Sequence, residues 1–230
     1  MSKYDTAWAE VKNWIENAKN PVMILAGDRV QGEKIFNRMS VTPKSLIGTL
    51  ILETGGIFID HGWLRFLGSG HQKMPKDMLS WNSFENGLGL KEAFVVAHDV
   101  IGGFFAINGG AFSGESNEIF YWQPHTLKWI GMEGSYSQLF SWALTGDLDR
   151  FYKNMRWPGW QSDVAQLNGD QGFSILPFLW AKADMPIAER SRRAVPMTEL
   201  WYLGQDLGQR LRDVSPGTPI QLHFTETEHG

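Results

Sequence analysis

The chain has 230 residues, enough for one large domain or a domain with a sizeable extension, and its 21 basic and 25 acidic side chains leave a net charge of −4. The absence of cysteine excludes disulfides and thiolate metal sites. Lysine and arginine are scattered apart from Arg190-Ser191-Arg192-Arg193, which disfavours nucleic acid as a partner.

The opening MSKYDTAWAEVKNW mixes charges too early for a signal peptide, and no apolar run approaches the length of a membrane span. These features lead us to expect a cytoplasmic protein with no membrane partner, no metal and no cofactor. Eleven tryptophans point first to a wide core and second to an aromatic-lined binding surface.

Residues 5–19 read as a helix, because Trp8, Val11, Ile15 and Ala18 recur at helical spacing behind a cap at Asp5 or Thr6. Pro21 ends it. Residues 22–25 read as a short strand and 32–39 as a helical turn. Thr42-Pro43 is a helix start, with Leu46, Ile47, Leu50 and Ile51 as its apolar stripe and Thr54-Gly55-Gly56 as its left-handed stop. Residues 57–60 and 63–67 then form a hairpin around a tight His61-Gly62 turn in which Gly62 takes a positive φ. A short helix is expected over 77–84, and Asn86-Gly87 turns the chain.

Four short runs follow at 94–98, 104–108, 118–122 and 127–131. They are rich in β-branched and aromatic residues and separated by glycine or proline, so they read as an antiparallel meander. Ser135 and Gln138 make a capping box for a helix over 135–144. Gly146 stops it, and Asp147 can cap a second helix over 148–155. From Trp157 the sequence reads as aromatic-rich loop, followed by an edge strand at 190–195, a helix at 198–214 broken by Pro216-Gly217, and a strand at 220–224.

Two resemblances attach to these residues. The glycine pair before FFAIN, the strand EIFYW, the turn QPHT, LKWIGM and the capped helix after them resemble the SUKH superfamily. That superfamily includes the yeast cell-wall-assembly regulator and many bacterial toxin-immunity proteins. TGGIFIDHGWLRFLGSG at 54–70 and NGDQGFSILPFLW at 168–180 resemble a bacterial family of unknown function, domain-of-unknown-function family 2625. The resemblances imply an α+β fold: a mostly antiparallel SUKH-like sheet with helices on one face and a C-terminal α/β extension. The expected organisation is a single domain over 1–230, with a core at 1–155 and an extension at 156–230 packed onto it.

No complete catalytic, phosphate-binding or dinucleotide motif is present. Asn168-Gly169-Asp170-Gln171-Gly172 lacks the alternation and terminal glutamate of a calcium loop and reads as a polar turn. The residues singled out for contact with a ligand or partner are Asp60, His61, Trp63, Arg65, Trp157, Trp160, Asp170 and Gln171, with no catalytic residue assigned. The preferred function is a non-enzymatic protein-binding module, immunity-like, with a basic toxin as partner. The alternatives are a small-molecule sensor lined by Trp157 and Trp160, and a hydrolase using Asp60, His61 or Asp170.

Overall fold

A computed structural model describes residues 5–39, 41–85, 87–215 and 217–220. The chain runs α1 (Asp5–Glu16), β1 (Val22–Ala26), α2 (Arg29–Phe36), α3 (Leu46–Glu53), β2 (Thr54–Ile59), β3 (Leu64–Leu67), α4 (Met78–Asn82) and β4 (Ala93–Asp99). It continues through β5 (Phe104–Asn108), β6 (Ile119–Gln123), β7 (Lys128–Gly131), α5 (Tyr136–Thr145) and α6 (Leu148–Phe151). The last part holds α7 (Trp160–Val164), β8 (Gln171–Leu176), β9 (Ser191–Pro196) and α8 (Met197–Arg210). The cap side chains of Asp5 and Thr6, together with Asn86, Pro216 and 221–224 of the expected last strand, lie outside the described residues.

Strands β1–β7 form one sheet in strict sequence order, every neighbouring pair antiparallel. The expected hairpin and meander are therefore one continuous seven-stranded structure. Side chains alternate between faces along a strand, so cross-strand partners line up in rows. One row is Ile24, Ile57, Phe66, Ala97, Phe105, Tyr121 and Ile130; the other is Met23, Phe58, Arg65, His98, Phe104, Trp122 and Trp129.

The first row faces a core closed by α1, α5 and α6, with Phe66 edge-on to Phe140 at 5.0 Å. The second row faces α2, α4 and α8, where Trp201 of α8 lies 5.1 Å from Phe104 and 6.0 Å from Trp122. Helices thus cover both faces, not one as expected, because the second row is mostly apolar too and needs its own cover; α8 of the C-terminal extension supplies much of it. Gly204 and Gly208, four apart on α8, let that helix seat directly on the Trp122 indole.

Local chemistry explains most of these elements. Gln138 Oε1 accepts from Ser135 N at 2.8 Å to start α5, and Asp77 Oδ1 accepts from Ser80 N at 2.7 Å to start α4. Three expectations change. Ser45, not Thr42, caps α3: its hydroxyl accepts from Gly48 N and donates to Thr42 O, so Thr42-Pro43 belongs to the preceding turn. Helix α3 passes straight into β2 without a left-handed stop. The glycine nearby instead allows close approach, since a Cβ on Gly68 would sit 2.6 Å from Gly56 N and Thr54 O. Residues 157–180, read as loop, contain α7 and β8; β8 pairs with β9 from Gln171↔Pro196 to Leu176↔Ser191.

Candidate functional site

The turn joining β2 to β3 is wider than the expected two residues. Ile59 pairs with Leu64, so Asp60, His61, Gly62 and Trp63 all lie in the turn. Asp60, His61 and Gly62 take φ of 54°, 56° and 86°, a left-handed run that three hydrogen bonds hold. Asp60 N donates to Pro21 O (2.7 Å), Gly62 N to Ile59 O (3.2 Å) and Trp63 N to Asp60 O (3.0 Å).

The turn aims Asp60 and Trp63 into the extension. The Asp60 carboxylate pairs with the buried Arg156 guanidinium. Arg156 lies against three aromatic faces, with centroids 4.3 Å away at Trp160, 4.8 Å at Trp63 and 5.2 Å at Tyr152. Trp63, fully buried, is 5.0 Å from Trp160 and 5.7 Å from Trp157. Trp157 donates from Nε1 to Asp163 Oδ2 at 2.6 Å and meets Phe173 of β8 edge-on. His61 is exposed, with its ring edge-on to Trp160 at 5.9 Å.

Arg65 anchors the second part of the cluster. It is 1 % exposed, yet it is a cation on a sheet row that is otherwise mostly apolar. Nε donates to Gly62 O (2.9 Å), and Nη1 donates to Asn168 O (2.9 Å) and Gln171 O (2.6 Å). Burial lowers its pKa to about 9, opposed by the carboxylates of Asp170 and Asp99. The neighbouring His98 is fully buried; burial and then the Arg65 charge hold its pKa well below the usual value, so the imidazole is neutral.

Asp170 Oδ2 accepts from Lys76 N at 2.9 Å while Oδ1 is buried without a partner; burial raises its carboxyl to about 6. Asn168 Oδ1 accepts from Asp170 N (2.9 Å), and Gln171 Oε1 accepts from Asn168 N (3.1 Å). The NGDQG segment is thus a side-chain-closed polar turn, and no group of three potential metal ligands occurs among the described residues.

Asp60, His61, Trp63, Trp157 and Trp160 therefore gather around Arg156, while Arg65, Asp170 and Gln171 form a second group joined to the first through the β2–β3 turn. A third buried centre, Asp99, was not anticipated. Its carboxylate accepts from the hydroxyls of Tyr121 (2.7 Å) and Tyr152 (3.2 Å) and from Gly103 N and Ile101 N. Arg156 was also missed, although its place between Tyr152 and the tryptophans Trp157 and Trp160 was a signal for cation–π packing.

Beside the cluster lies a cleft of about 590 Å³. Its walls are the start of β1, the β2–β3 turn, residues 72–73, and α7 with the chain up to Asn168. Arg65, His61, Lys73, Met23 and Phe58 line it.

The protein is an α+β protein with a seven-stranded antiparallel sheet and an aromatic–cationic knot at one end, next to an open cleft. The chain belongs to the family described as "Protein of unknown function DUF2625", which matches residues 1–200. It is similar to YbfG, an uncharacterised protein of Escherichia coli K12, at 39% identity over 199 residues, covering 86% of this chain and 90% of that protein. It is also similar to an uncharacterised protein of Haemophilus influenzae, at 37% identity over 193 residues, covering 83% of this chain and 85% of that protein. No solved structure matches it, and no described helix is long and apolar enough to cross a membrane.

Proposed function

We propose that the protein is a non-enzymatic protein-binding module whose contact region is the cleft beside the Arg156 knot. The observation that carries this reading is how the polar groups are engaged. Asp60 is held by Arg156, Asp170 accepts from Lys76 N, and among the described residues His61 makes no hydrogen bond with a carboxylate. A hydrolase at these positions needs a base oriented by a carboxylate and placed near a nucleophile, and this arrangement offers none. The cleft is open, and the edge of β1 beside it carries exposed Met23 and Ile24. Strand edges of this kind invite a partner chain.

The SUKH-like and immunity-like parts of the reading rest on the sequence resemblance carried by the segments that form β4–β7 and the capped α5. A basic toxin-like partner is motivated by the net charge of −4. The small-molecule alternative draws on a shallow hollow of about 420 Å³ along Trp157 and Trp160.

Crosslinking in a native host lysate, followed by gel filtration of the purified pair, tests the proposal; a stoichiometric complex is expected. A hydrolase panel run with the parent protein and an Asp60→Ala, His61→Ala double variant is the counter-test. Turnover lost in the double variant, with no complex from the parent, overturns the binding reading.

A further inference from the structure

The cleft is chemically unlike the rest of the molecule. The chain is acidic overall, yet among the described residues lining the cleft there is no aspartate or glutamate. Arg65, Lys73 and His61 line it together with amide side chains such as Gln161 and Asn168. Lys73 is exposed and forms no ion pair with a described residue.

Arg65 is the more telling group. Its three hydrogen bonds use Nε–H and both hydrogens of Nη1, all on backbone carbonyls. A guanidinium has five N–H donors, so the two on Nη2 are left with no partner among the described residues. Among the described residues no carboxylate hydrogen-bonds this almost wholly buried cation, and Asp170 and Asp99 act on it only through their charge. A buried cation without a hydrogen-bonded counter-ion is costly, and carboxylate is the group that a guanidinium fork matches best. Met23 and the Phe58 ring, over which the Arg65 guanidinium lies at 5.2 Å, supply an apolar floor from Arg65 to the edge of the sheet.

We propose that this cleft binds an acidic extended segment of a partner protein, with a carboxylate side chain seated between Arg65 Nη2 and Lys73 Nζ and the flanking residues crossing Phe58 and Met23 to the edge of β1. The inference rests on the protein-binding reading above but departs from it on charge: the cationic lining of the cleft, not the net charge of the chain, sets what enters, so the segment is acidic even where the rest of the partner is basic. The dimensions agree. Met23 and Arg65 are separated by two strand spacings, about 10 Å, which about four extended residues span. Such a segment reaches the outer edge of β1, where no described chain pairs with Val22–Ala26. Charge then selects the segment and apolar contact holds it.

The probe is a phage-displayed library of random dodecapeptides, selected on the full chain and followed by fluorescence polarisation of the enriched peptides. Enriched sequences should share an aspartate or glutamate. Replacing that residue by its amide should weaken binding at least tenfold, and Lys73→Glu should do the same while leaving the thermal midpoint unchanged. Arg65→Lys, with a far-UV spectrum matching the parent, should also weaken binding at least tenfold because the Nη2 donors are gone, and unchanged affinity overturns the seat at Arg65.

No enrichment, or enriched peptides without a carboxylate, overturns the proposal. Glutarate binding as tightly as the peptides would make this a small-carboxylate site and overturn the peptide assignment. If a partner protein is recovered from the host and its binding ignores Lys73→Glu, the protein-binding reading stands and this inference falls.

Discussion

At the scale of single residues, three side chains around the β2–β3 turn carry separable costs. Gly62 has φ 86°, and a Cβ there would lie 3.3 Å from the Phe58 ring. Gly62→Val places a branched residue in the left-handed region and should cost about 1–3 kcal/mol; equal stability in a urea titration would count against the turn geometry. Arg156 is buried with Asp60, so Arg156→Ala leaves a buried carboxylate unpaired and should cost about 3–5 kcal/mol. Adding Asp60→Asn should recover part of that loss, because the stranded charge is removed; strictly additive effects would mean the pair is uncoupled. The Arg156 bond to Asp149 contributes little beside this, since Asp149 is 90 % exposed. Asp170 gives a pH signature of definite sign. Its folded pKa of about 6 exceeds the ordinary aspartate value of 3.8, so the folded state holds the proton more tightly than the unfolded chain does. That contribution is complete below about 3.8 and is lost as pH rises through about 6. Asp99 is raised as well and overlaps this window, so the prediction concerns a difference: urea stability of the parent should fall relative to Asp170→Asn between pH 4 and 6, and parallel curves would remove Asp170 from the account.

At the scale of elements, α8 is the piece that closes the second face of the sheet. Trp201 is 3 % exposed and lies within 6.0 Å of both Trp122 and Trp129. Trp201→Ala should cost about 3–5 kcal/mol through the lost contacts and the cavity left, and should disturb Trp122 and Trp129 enough to shift the fluorescence maximum; an unchanged spectrum and midpoint would mean that α8 is not seated there. Elements with a strong local signal were legible in the sequence. The capping box at Ser135 and Gln138 and the four meander strands specify themselves within a few residues. Strand β8 was missed although Phe173 and Ile175 alternate with Gly172 and Ser174, because the tryptophans before it and the glycines around it read as loop. The site was half legible. Asp60, His61 and Arg65 stood out by residue type and Trp157 and Trp160 by composition, but their meeting depends on Arg156, Asn168 and Gln171, about one hundred residues from the β2–β3 turn. The burial of Arg65 was not legible at all, because a strand pattern places a residue on a face without saying what covers that face.

At the scale of the whole molecule, the open question is whether residues 156–230 form part of the same cooperative unit as residues 1–155, and we propose that they do. The contacts between the two parts are of the kind that fill cores. Phe173 and Ile175 belong to the same buried cluster as Ile57, Phe66 and Phe105, and Met197 and Trp201 share the other cluster with Phe58 and Phe104. Polar links reinforce them: Arg65 reaches Asn168 and Gln171, Asp60 reaches Arg156, and Phe173 N donates to Val100 O at 2.6 Å. Removing the extension would leave α2 and α4 over the second face without α8, strip Trp201 from Phe104 and Trp122, and leave Arg65 and Asp60 without their partners, exposing apolar surface and stranding buried charge together. We therefore expect urea unfolding in one transition, coincident by tryptophan fluorescence and far-UV circular dichroism. Limited proteolysis should yield no stable product ending near Met155. A folded fragment of that length, or two separated transitions in which the tryptophan signal of the extension is lost first, would show the extension to be an independent unit and would place the Arg156 knot at a domain boundary.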